Sequence, residues 1–130
     1  MNVHEALNLI HAPKGATSVI AGLLGGDSAS IQDQDATGIA LAEATEKLKT
    51  AKRNQNDARS DAAWWGYAGD VAYWSAVVDI LKAAELVGAD NLPDVPAPKT
   101  DGVVMDVQYH VEQFGAAILT KARKAAERPR

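Results

Sequence analysis

The stretch Asp61-Ala62-Ala63-Trp64-Trp65-Gly66-Tyr67-Ala68-Gly69-Asp70-Val71-Ala72-Tyr73-Trp74 holds all 3 tryptophans and two of the 3 tyrosines of the chain. Its large residues continue downstream, so Trp64, Tyr67, Val71, Trp74, Val78 and Leu81 make one face at helical spacing. Val77, Ile80, Ala84 and Val87 widen that face past half the circumference. One neighbouring helix cannot cover such a surface. The helix is therefore expected at the centre of a bundle, or against a second subunit as well. Gly66, Ala68, Gly69 and Ala72 leave a smooth ridge where another backbone can approach. Tryptophan and tyrosine are enriched among residues that anchor protein contacts. Trp64, Trp65, Tyr67, Tyr73 and Trp74 are accordingly the candidate interface of a homodimer. Plain core packing is the alternative, and one helix can serve both.

Upstream, Leu41, Ala44, Leu48 and Ala51 follow the helical period, with Asp33 or Asp35 placed to cap their helix. No proline interrupts the chain from Asp35 to Gly88, so one very long helix is formally allowed. The phase of the apolar stripe argues otherwise. Continued by sevens, Leu41 and Leu48 lead to Gln55, Ala62, Gly69 and Ala76 rather than to the large residues. The stripe has slipped by two positions, about 200° around a helix. A break at Asn54-Gln55-Asn56-Asp57 resets it, and Asp57 or Ser60 can cap the next helix. The sequence thus predicts a helical hairpin.

Elsewhere the chain is punctuated at Pro13-Lys14-Gly15, at Gly25-Gly26, and between Gly88 and Gly102, where Pro93, Pro96 and Pro98 fall. Val3, Ala6, Leu7 and Ile10 make a short first helix ending before Pro13. Ala16 to Leu24 reads as a second short helix stopped by Gly25. Residues 89–101 read as a connection without a regular element, because three prolines remove backbone donors. Val104, Val107, Val111, Phe114 and Ile118 then mark a long last helix from about Asp101 to Glu127. No strand-like alternation, internal repeat or low-complexity segment occurs. The expectation is an all-α bundle of four to five helices in a single domain spanning 1–130.

Composition agrees with that reading. The 130 residues are 47% hydrophobic and 23% charged, ordinary proportions for a globular domain. No apolar run approaches the roughly 20 residues of a membrane span, and the start lacks a signal-peptide pattern, so the expected location is cytoplasmic. With Cys at 0, thiolate metal sites, disulfides and a cysteine nucleophile are excluded. The net charge of -4 conceals a basic C-terminus: Lys121, Arg123, Lys124, Arg128 and Arg130 stand against Glu127. The remainder is strongly acidic and would repel a phosphate backbone. Cations at a helix C-terminus complement the macrodipole, and this tail has no aromatic to stack on a base. A nucleic-acid partner is not expected.

Catalytic motifs are sparse. His4 and His11 share a face of the first helix, and Asp106 and His110 are one turn apart on the last. Neither pair supplies the three or four ligands zinc needs. No Gly-x-Ser-x-Gly turn is present, and Pro13-Lys14-Gly15-Ala16-Thr17 lacks the spacing of a phosphate loop. The carboxylates are more informative. Glu43 and Glu46 lie one turn apart, and a hairpin would carry Asp70 to the facing helix. Carboxylates on facing helices are a usual way for a bundle to hold Mg²⁺.

At these positions the sequence resembles the all-α nucleotide pyrophosphohydrolases, the MazG and phosphoribosyl-ATP pyrophosphatase group. Ala42-Glu43-Ala44-Thr45-Glu46 looks like their EExxE motif, and Gly69-Asp70-Val71 resembles the end of their ExxD motif. The likeness covers about residues 39–82. It implies a Mg²⁺ ion held by Glu43, Glu46 and Asp70, and cleavage of a nucleoside triphosphate between its α and β phosphates. Two positions depart from the pattern: the first Glu is Ala42, and the Glu of ExxD falls at Tyr67. A ligand set so reduced is expected to weaken turnover. The leading expectation is a small helical interaction or ligand-binding protein without robust catalysis, and the pyrophosphohydrolase is the alternative.

Overall fold

Ser60 has an extended backbone, and its Oγ accepts a hydrogen bond from the Ala63 amide at 3.2 Å. This capping contact satisfies one of the free amides of the helix that follows. The computed structural model describes residues 1–10, 34–98 and 104–127, and among them it is all-α. The helices are α1 (Val3–Asn8), α2 (Gln34–Asn56), α3 (Asp61–Val87) and α4 (Val104–Glu127). The break between α2 and α3 falls where the apolar phase resets, and Ser60 rather than Asp57 caps α3. Gly88 ends α3 at φ +97°, a conformation that glycine adopts without strain, while its amide donates to the Ala84 carbonyl at 2.8 Å. The expected helix over 16–24, the Pro13–Thr17 stretch and Asp33 lie outside the described residues.

α3 is the centre of the bundle and packs against each of the other three helices, as its wide apolar arc requires. α2 comes close because it offers small residues, and α4 does so at Gly115. On α2 the buried positions are Ala40, Ala44 and Ala51, with Leu41 and Leu48 packed partly against the core. Among the described side chains of α4 they are Val111, Phe114, Gly115, Ile118, Leu119 and Ala122, which include three members of the expected stripe. The side chains of Val104 and Val107 lie outside the described residues. Gly115 is the tightest point: a Cβ placed there would stand 2.7 Å from the Ala76 Cα of α3. Val3, Ala6, Leu7 and Ile10 from the α1 segment join the same buried cluster.

α4 runs parallel to α3. A Cβ on Gly69 would meet the side chain of Gln108, and one on Gly115 would meet Ala76, so both contacts keep one register. The chain must therefore return most of the length of α3, about 34 Å at 1.5 Å per residue, between the two helices. Residues 89–98 of that connection carry no regular element, as the sequence expects, and residues 99–103 lie outside the described residues. Leu92 buries its side chain, and it exchanges a reciprocal pair of backbone hydrogen bonds with Met1 at 2.9 and 3.1 Å. The Val3 amide donates to the Ala89 carbonyl at 2.9 Å, and Lys121 Nζ donates to the Asp94 carbonyl at 3.2 Å. No described helix is long and apolar enough to cross a membrane.

The packing makes opposite forecasts for two helical glycines. Gly115→Ala should destabilise the protein by about 1–3 kcal/mol, because overpacking against the α3 backbone exceeds the gain in helix propensity. Gly66→Ala, where an added Cβ meets nothing within 4 Å, should stabilise it by about 0.5–1 kcal/mol. Urea unfolding of the two variants reads both signs.

Candidate functional site

The aromatic stretch is divided by where the flanking helices bury it. From Asp61 to Val71 no residue of α3 is buried; burial begins at Ala72. Tyr73 and Trp74, 2% and 5% exposed, are core residues whose rings meet edge to face at 5.1 Å. Of the five candidate interface residues, these two are covered by the chain itself. Tyr67 is half-buried. Trp64 and Trp65 remain 42% and 41% exposed and pack edge to face on one another at 4.8 Å. A pair of adjacent, solvent-facing tryptophans is the one aromatic element of α3 left without cover. Leu86 and Tyr109 are also exposed, at 47% and 59%, and neither is singled out by the sequence reading. For Leu86 a signal exists, since it keeps the helical spacing of Trp64, whereas nothing in the pattern of α4 marks Tyr109.

The three carboxylates of the enzyme reading do not gather. Glu43 and Glu46 are exposed on α2, where with Ala42 and Lys47 they line an open surface depression of about 450 Å³. Glu46 pairs with Lys49 at 3.5 Å on the open surface, a contact worth only a few tenths of a kcal/mol. Asp70 is half-buried on α3, and burial pushes its carboxyl above the usual range. Among the described residues no three histidine, aspartate or glutamate side chains form a group able to hold a metal ion. His110 is half-buried beside the Tyr109 ring; His11 and the side chains of His4 and Asp106 lie outside the described residues.

Two other ionisable groups on α3 respond to burial. Asp79 is half-buried, and desolvation raises its carboxyl while the charges of Lys82 and Arg123 pull it back down. The Tyr73 phenol is pushed up to about 12 by burial. The folded state therefore holds the Tyr73 proton more tightly than the unfolded chain, whose phenol titrates near 10. Its neutral form is fully tolerated below pH 10, and stability falls as pH rises from about 10 to 12. The loss should reach about 2–3 kcal/mol, at 1.4 kcal/mol for each pH unit of displacement. Urea unfolding at pH 9 and pH 11.5 should show the decline in the wild type and a smaller one in Tyr73→Phe. No protein-family model, curated protein or solved structure matches this chain.

Proposed function

We propose that this protein is a small helical interaction module that self-associates through the uncovered face of α3, and that it is not a robust catalyst. The observation that carries the reading is the exposed Trp64–Trp65 pair on the helix at the centre of the bundle. Each indole offers a large apolar area at little cost in rotamer entropy, and such residues supply most of the free energy of protein contacts. The finer division matters. Tyr73 and Trp74 contribute to folding, whereas Trp64, Trp65 and the half-buried Tyr67 are available to a partner.

Light scattering at tens of micromolar should report a dimer. Trp64→Ala with Trp65→Ala should give a monomer with nearly unchanged resistance to urea, because neither ring is part of the core. Trp74→Ala should instead cost about 3–5 kcal/mol of stability. A monomeric wild type would refute self-association. The pyrophosphohydrolase alternative makes a separate forecast, a Mg²⁺-dependent release of pyrophosphate from nucleoside triphosphates. We expect little or none. Robust release, abolished by Glu46→Gln or Asp70→Asn in folded protein, would establish the enzyme instead.

A further inference from the structure

Between Ala72 and Ala84 only three residues of α3 escape burial: Ser75, Asp79 and Lys82. They stand at spacings of four and three, so they form one line along the helix. Continued backwards by four, three and four, the line passes Val71, Ala68 and Trp64; continued forwards by four, it reaches Leu86. Trp64 and Leu86, both more than 40% exposed, are thus the two ends of one incompletely covered stripe, along which Lys82 is exposed and Ala68, Val71, Ser75 and Asp79 are half-buried. Each lies eleven positions from Ser75, and the spacings read the same in both directions.

From this symmetry we infer that a second copy of the chain docks on the stripe, with α3 antiparallel to its partner and the two-fold axis at Ser75. This rests on the self-association proposed above and specifies its geometry. In that register Trp64 of each copy meets Leu86 of the other, Ala68 meets Lys82, and Val71 meets Asp79. A two-fold contact needs a patch that complements itself, which a palindromic stripe does. The small side chains of Ala68 and Ser75 permit close approach near the axis, and the bulky ones lie at the ends.

Charge supports the same occupant. Two copies that each carry a net charge of -4 repel unless the contact itself is balanced. Asp79 and Lys82 offset one another, and the antiparallel register sets each against an apolar residue rather than a like charge. The stripe is about 33 Å long, and with a helix about 10 Å across the two copies bury on the order of 1,000 Å², which reaches the size of a specific contact. Its period of eleven residues in three turns keeps it almost parallel to the helix axis.

Because the chain contains no cysteine, single introduced thiols report the register directly. Ser75→Cys should form a linked dimer under mild oxidation or with a short bismaleimide. Ala68→Cys alone and Lys82→Cys alone should not, since the two like positions lie about 21 Å apart across the axis. Mixed together, those two variants should link to each other. Trp64→Ala and Leu86→Ala, at opposite ends of the helix, should each weaken the dimer by about tenfold. Circular dichroism confirms that every variant is folded. Self-linking of Ala68→Cys and Lys82→Cys would mean a parallel pair and overturn the inference. A dimer by light scattering in which Ser75→Cys fails to link would overturn it while leaving self-association intact. A monomer at all concentrations would end both.

Discussion

The contact on which this bundle depends is the approach of Gly115 to the backbone of Ala76, where a methyl group would stand 2.7 Å from an α-carbon. α3 buries Tyr73, Trp74, Val77, Val78, Ile80 and Leu81, so its partners must come near enough to enclose them. Gly115 on one side and the alanines of α2 on the other allow this. Interiors are packed too densely to absorb an extra methylene at such a point without movement of a helix. The large residues on α3 and the small ones around it form one constraint, expressed on three helices. Ile80, Leu81 and Val77 are among the most deeply buried side chains, enclosed between the alanines of α2 and the Val111, Phe114, Ile118 and Leu119 side chains of α4.

Where that enclosure stops, the chemistry of α3 changes without any change in its composition. Trp64, Trp65, Tyr73 and Trp74 are similar residues a few turns apart, yet two stabilise the fold and two face solvent. The same helix is therefore open along its first half and largely enclosed along its second. Glu43 and Glu46 of α2 lie outside the buried core. Both are exposed, and Glu46 pairs with Lys49.

Much of the architecture was legible in the residues. The phase slip near Asn54–Asp57 located the α2–α3 break, because a helix cannot change its buried face without interrupting its backbone. Pro93, Pro96 and Pro98 marked the irregular connection, and Val111, Phe114 and Ile118 marked the buried side of α4. Periodicity reports which face of a helix is apolar, but not how far along the helix its neighbours extend. That is why Tyr73 could not be distinguished from Trp65. The direction of α4 was also hidden, since a connection of this length can serve either a parallel or an antiparallel neighbour. Spacing along two helices also does not say whether Asp70 turns toward Glu43 and Glu46, and among the described residues no such group of three able to hold a metal ion forms.

The parallel α4 has a consequence for the order in which the molecule assembles. α2 and α3 are joined by a short turn, so their pairing closes a small loop and can form early. The α3–α4 pairing waits for a longer connection. The backbone bonds between Met1 and Leu92 close a loop spanning most of the chain, with an entropic cost about 2–3 kcal/mol greater than that of the hairpin turn. Such a contact forms after the others have already brought its partners together. On loop-closure entropy the α1 segment is expected to dock after the α2–α3 hairpin. In native-state hydrogen exchange this is a gradient of protection, steepest at α3 and falling away toward the first turn of the chain.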